Sequence, residues 1–533
     1  MPEADAYPLL SSAAGSRAAS RPSSRPSSRP TSRPSSRLSR PTSRGGFRDA
    51  SRSLDLEAGP SDPDMRRSGD VLFKAPDDHI HHSDEEEDHD QAPLLSREDR
   101  TVGRPSLEDE IDTFADALGD GPAARATGTL LDGIANMANS ILGAGIIGLP
   151  YAIKQAGFVT GIVLLIVLAA VTDWTIRLVV LNAKLSGRDS YIDVMAHTFG
   201  RAGAGAVSFF QFAFAFGGMC AFNVIIGDSI PHVLAFVFPF LKEHAGLRLL
   251  VDRRFIIVLC TITVSFPLSL HRDIVKLSKS SAFALVSMGV IVCAVVFRSV
   301  GVDPDLKGST AGAISLMKPG VFEAIGVISF AFVCHHNTMF IYKSISVPTL
   351  DRFNAVTHTS TSLSLVCCLL MSVTGYLTFT DKTEGNILNN FSADDWVINI
   401  ARFCFGANMS TTIPLENYVC REVLEDCFWR GQPYNRTRHV LSTCAIVFSA
   451  MFISLLTCDL GVVLEIAGGL SATALAFIFP AGAFFVLTRG PWNSRQKLPA
   501  VICVAFGTIV LLMSTGIAVT KAFTGNVSHK KCD

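Results

Sequence analysis

From Leu130 onward the chain alternates long apolar stretches with short polar gaps. A bilayer core needs roughly 20 consecutive apolar residues per helix. Stretches of that order recur at 130–151, 158–181, 204–240, 255–270, 281–297, 322–341, 356–379, 396–420, 440–458, 460–487 and 498–519. One such run also fits a buried helix of a soluble core. About eleven in series do not, because no ordinary soluble interior covers that much apolar surface. The predicted fold class is an all-α polytopic membrane protein. The third and tenth runs are long enough to tilt or to extend beyond the core. The pattern divides the chain into a tail over 1–125, a membrane domain over 126–520 and a short tail over 521–533.

Composition agrees. Only 17% of residues are charged and the mean hydropathy is +0.35, against about 25% charged in soluble chains. The net charge of −1 sums a basic stretch, an acidic stretch and a neutral core, and so says nothing about partners; no nucleic-acid partner is expected. Thirteen cysteines fall mostly inside apolar runs, where they act as small hydrophobes. They show no metal-ligand spacing and no disulfide framework. The N-terminus is polar, so no cleavable signal peptide is expected and the first run serves as the insertion signal.

Residues 1–125 have no apolar face to bury and are expected to be disordered. Arg recurs every four residues from Arg17 to Arg37 among Ser and Pro, a pattern suited to anionic lipid or to basophilic kinases. A His and carboxylate cluster at 79–90 has metal-ligand residue types, but a flexible segment opposes ordering, and no metal is expected. Asp5 with Leu9 and Leu10, and Asp90 with Leu94 and Leu95, match the acidic dileucine pattern read by cytosolic sorting adaptors. Together they point to delivery to a vacuole or lysosome.

With the N-terminus in the cytosol, the loops on that side hold a small excess of Lys and Arg, as the positive-inside rule asks. The acidic loop at 381–395 then faces away from the cytosol. Eleven spans would place the C-terminus there too, with Asn526 as a glycosylation acceptor.

The first run is interrupted. Gly143, Gly145 and Gly148 precede Pro150 within eight residues, costing several kcal/mol of helix propensity at about 1 kcal/mol per glycine and 3 for proline. In hydrocarbon the freed backbone groups need protein, water or ligand partners. A close-packing helix face is the plainer reading of small residues spaced by three or four. An unwound, ligand-facing segment accounts better for the extra glycines and the proline. Discontinuous helices of this kind line transporter sites at the membrane midplane. If five spans form a repeat, the partner is the sixth, where His335, His336 and Asn337 interrupt an apolar run.

The stretch Gly143 to Ala152 resembles the first-span signature of the amino acid/auxin permease family. Further matches lie at 173–178, 227–232, 332–336 and 459–465. The chain is most similar to fungal vacuolar amino acid transporters and the related sodium-coupled neutral amino acid transporters. The resemblance implies a LeuT-like five-plus-five inverted repeat with an eleventh helix, carrying amino acids by alternating access. It implies substrate contacts at Ser140, Ile141, Leu142, Gly143, Ala144 and Gly145, and at Phe330, Val333, Cys334 and His335. Backbone amides of the first group would hold the carboxylate, and sixth-span carbonyls the amine. It also implies a cation site between first-span carbonyls near Asn139 and the eighth-span hydroxyls of Thr411 and Thr412, although such hydroxyls commonly bond their own helix.

Ionisable residues inside spans are functional candidates by default. Asp228, His335, Glu416 and Glu465 qualify, and Glu465 is the most deeply placed by sequence and the first choice for proton coupling. Asp173 and Arg177 stand at i and i+4 and are expected to pair with each other. The coupling ion is H+ or Na+, with no cofactor. No Walker motif, HExxH or nucleophile–base pair is present, so an enzyme is not expected. The second reading is an amino acid sensor that signals through its tail.

Overall fold

The computed structural model describes residues 129–244, 246–271, 281–310 and 312–524. Contacts divide the chain into two units, 1–98 and 99–533, and all described residues belong to the second. The sorting residues Asp5, Leu9, Leu10, Asp90, Leu94 and Leu95, the cluster at 79–90 and the acceptor Asn526 lie outside the described residues.

Helix α1 (Leu130–Ile141) starts at Thr129, which forms a capping box with Asp132. The chain leaves helical geometry at Leu142 and Gly143, makes a 3-10 turn over Ala144–Gly148 and resumes as α2 (Leu149–Ala156). Pro150 sits in the first turn of α2, where its missing N–H costs nothing. Gly157 then turns with φ 92°, against the Met317 backbone, which a Cβ would meet at 3.0 Å. Helix α3 (Phe158–Ser186) follows, with Val163, Ile166 and Val167 exposed along one side. This is an apolar surface suited to lipid.

Helix α4 (Tyr191–Val237) begins earlier than the apolar pattern indicates. Its polar first turns are separated from the apolar run by a break at Gly200, with φ 66°. The fourth run forms α5 (Arg253–Cys260), a π-turn over Thr261–Ser265 and a short helix over Phe266–Ser269. Helix α6 (Ser281–Val300) follows. The sixth run is split into α7 (Val321–Phe332) and α8 (His335–Ser344). Then come α9 (Leu350–Phe379), α10 (Trp396–Phe428) and α11 (Arg436–Leu456). The tenth run comprises α12 (Leu460–Ile466), π-turns over Ala467–Ala472 and Ala474–Ile478, and α13 (Phe479–Leu487), before α14 (Leu498–Thr524).

Among the described residues, eight stretches are long and apolar enough to cross a membrane, and Ala284–Val300 is a shorter apolar helix. The expectation of eleven is thus not met by length and composition. The shortfall has a physical source. The fourth run is broken by its π-turn, and α10 carries Arg402, Glu416, Arg421 and Glu422 within its length.

The most extensive packing joins α4 to α10, while α7 lies against α2, α12 and the first π-turn of the tenth run. Glycine brings α7 and that run together. A Cβ on Gly326 would stand 2.8 Å from the Glu465 carbonyl oxygen, and one on Gly468 would meet the Gly326 carbonyl.

The loop at 381–395 is folded onto helix ends. Arg402 is fully buried and donates to the carbonyls of Leu388 (2.8 Å), Phe391 (3.0 Å) and Ser392 (3.2 Å). Asp228 pairs with Arg253 at 3.0 Å and accepts from Asn386 and Asn389 at 3.2 Å each. Lys154 donates to the Thr383 carbonyl at 2.9 Å. Cys458 is disulfide-bonded, which corrects the expectation that cysteines contribute no disulfide.

Candidate functional site

The two helix breaks meet. Gly145, on the 3-10 turn of the first run, faces α7 so closely that a Cβ would stand 2.5 Å from the Ala331 Cα and 2.9 Å from its nitrogen. The glycine-rich segment thus combines a helix interruption with a close-packing contact. The helix is interrupted at Leu142–Gly143, and Gly145 two residues on is the close-packing contact.

The break after α7 is formed by Val333 in extended geometry (φ −73°, ψ 117°) and by Cys334, after which α8 starts at His335. Val333 N–H closes α7 on the Ser329 carbonyl at 3.1 Å, and Asn337 N–H opens α8 on the Cys334 carbonyl at 3.0 Å. The carbonyl end of α7 and the amide end of α8 therefore face the same gap. Their opposed dipole ends suit a ligand carrying both a cationic and an anionic group.

Phe330, Val333, Cys334 and His335 are all buried at this break. His335 Nε2 lies 3.0 Å from Thr175 Oγ1 on α3, which itself donates to the Thr172 carbonyl. Helix α4 supplies a further wall. Phe214 packs with its ring 5.2 Å from that of Phe330 and 5.1 Å from that of His336. On the first-run side, Ile141, Leu142, Ala144 and Gly145 are buried, while Asn139, Ser140 and Gly143 are partly open. Ser140 donates to the Asn136 carbonyl at 3.0 Å.

The expected cation-site hydroxyls bond within their own helix. Thr411 donates to the Asn408 carbonyl at 2.9 Å and Thr412 to the same carbonyl at 2.8 Å. Glu465 accepts from the Tyr151 hydroxyl at 3.1 Å, and Tyr151 in turn accepts from Gln155. Asp173 pairs with Arg177 at 3.3 Å, as the i, i+4 spacing indicates, and also with His358 at 3.0 Å.

Thr175 and Phe214 went unread in the sequence. Thr175 stands inside the matched segment 173–178, so position gave a signal. Phe214 is one of many aromatic residues in an apolar run, and nothing local distinguishes it.

A family model described as "Transmembrane amino acid transporter protein" matches residues 126–520. The chain is 40% identical over 401 residues to vacuolar amino acid transporter 2 of Saccharomyces cerevisiae, covering 73% of this chain and 83% of that one. It is 39% identical over 385 residues to "Putative sodium-coupled neutral amino acid transporter 11" of Rattus norvegicus, covering 72% and 84%. Among solved structures, that of MhsT in complex with L-phenylalanine superposes with a TM-score of 0.51 at 12% identity, covering 74% of this chain and all of that one. At that identity the likeness is one of fold, which is all-α, LeuT-like and polytopic.

Proposed function

The chain belongs to the transmembrane amino acid transporter family, and on that premise we propose that it is a secondary carrier of amino acids working by alternating access. One observation carries this reading: the broken first and sixth runs touch at Gly145 and Ala331, with the α7 and α8 termini facing the gap beside them. The amino acid carboxylate meets amides of the first-run turn, and its ammonium meets carbonyls at the end of α7. Val333, Cys334, Phe330 and His335 enclose the side chain. Substrate binding draws the two breaks into one arrangement, and the gap opens alternately to either side of the membrane.

The five-plus-five repeat with an eleventh helix is part of the proposal, as are a cytosolic N-terminus, a location in the vacuolar membrane and coupling to H+ or Na+. The relative named as vacuolar supports the location, and the one named as putatively sodium-coupled supports the choice of Na+. Purified protein in liposomes tests the reading through uptake of labelled amino acids under imposed pH or sodium gradients. Gradient-dependent uptake upholds the carrier. Absence of flux, together with amino-acid-dependent binding of cytosolic proteins to the tail, would establish the sensor in its place.

A further inference from the structure

Five buried polar atoms without hydrogen-bond partners occur on three side chains of α8 and α10: both ring nitrogens of His336, Oε2 of Glu416, and Nδ2 and Oδ1 of Asn417. Asn417 is fully buried. Burying a polar group without a partner is unfavourable, most of all for a carboxylate. Ionisable side chains left unpaired inside a membrane domain are therefore functional candidates.

Helix α4 brings His336 and Glu416 together. Phe214 and Gly218 stand one turn apart on α4. The His336 ring lies against Phe214, and Glu416 Cγ comes within 4.0 Å of the point a Cβ on Gly218 would occupy. Asn417 adjoins Glu416 on α10. The imidazole of α8 and the carboxyl of α10 thus follow each other along one face of α4, beside Phe330 at the end of α7.

The other titratable groups facing this step are His335 on α8, Cys420 on α10 and Cys220 on α4. Cys420 contacts the Phe212 carbonyl, and α3 presents the uncharged Thr175 to His335. Glu465 is engaged elsewhere, by Tyr151.

We propose that His336 and Glu416 form the site that takes up the coupling proton. The chemistry of the unpartnered atoms chooses a proton over sodium. A hard cation wants a shell of oxygens, whereas this pair offers one carboxyl group beside an imidazole. A proton on Glu416 removes the charge from its buried carboxyl, and His336 passes it toward the gap where the substrate sits. Because His336 lies in the first turn of α8 beside the helix break, movement of α8 during the transport cycle changes its distance from Glu416. The proton and the amino acid are then counted together.

This proposal rests on the carrier reading, and the test separates the two. Full-length protein is reconstituted in liposomes, and two activities are compared: exchange of labelled for unlabelled amino acid without a gradient, and net accumulation driven by a gradient of about one pH unit, which supports roughly tenfold accumulation at one proton per substrate. Wild type is expected to perform both. Glu416→Gln is expected to keep exchange while its accumulation ratio falls to one. Retained pH-driven accumulation in Glu416→Gln overturns the proposal, as does wild-type accumulation driven by sodium alone. If Glu416→Gln loses exchange too, the same comparison on His336→Gln decides: lost accumulation with retained exchange upholds the site, and any other result overturns it. Wild-type protein that exchanges nothing would instead overturn the carrier reading itself.

Discussion

At the scale of single residues, the sharpest contrast lies between glycines. Gly145 leaves no room for a Cβ against the Ala331 backbone, whereas Gly205 on α4 has open space around it. Gly145→Val must push the first-run turn away from α7, and a displacement of about 1 Å at a site of this kind costs on the order of 100-fold in rate. We expect amino acid uptake to fall by at least that factor with membrane expression unchanged, while Gly205→Val transports normally; liposome uptake normalised to inserted protein checks both. Thr175→Val deprives the His335 ring of its partner and leaves a buried nitrogen unpaired, at about 1–3 kcal/mol. Thermal unfolding of the purified variant should show the loss. Gly145 was legible because glycine announces itself in a membrane helix. Asn417 was not, because a single amide in an apolar run says nothing about whether a neighbouring helix offers it a partner.

At the scale of elements, the first-run break was readable in Gly143, Gly145, Gly148 and Pro150, and the sixth-run break much less so. Val333 and Cys334 carry no backbone signal, and α7 stops there because of what surrounds it. The histidines, read in sequence as the interruption itself, in fact begin the next helix. The segment at 381–395 looked like an acidic loop and proves to be a docked cap held by Arg402 and by the pair of Asp228 with Arg253. Removing one member of a buried ion pair costs roughly 3–5 kcal/mol. We expect Asp228→Ala to destabilise by the lower part of that range, since Arg253 keeps the Thr457 carbonyl at 3.4 Å. Arg402→Gln should cost at least as much, because one amide cannot serve three carbonyls. Melting of both variants in detergent measures the effect, and an unchanged midpoint would show that the loop is not held this way.

At the scale of the whole molecule, the apolar pattern conveyed the fold class and most span positions. Eight of its eleven runs are clear spans by length and composition among the described residues, because a helix like α10 keeps charged groups within its length. The targeting proposal belongs to this scale too. Replacing Leu9, Leu10, Leu94 and Leu95 by alanine is expected to move a fluorescently tagged protein from the vacuolar membrane to the cell surface. Unchanged vacuolar fluorescence would remove the dileucine reading while leaving the transport domain, residues 126–520, untouched.

The contact of Gly145 with Ala331 has one more consequence, for selectivity. Where two backbones already touch, side-chain volume cannot be adjusted without parting them, so that wall of the gap is fixed in shape for every amino acid. Discrimination by size must then fall on the walls made of side chains, chiefly Phe214, Phe330 and Val333. A change of cargo is therefore expected to follow substitution at these three positions, with the glycine contact left as it is.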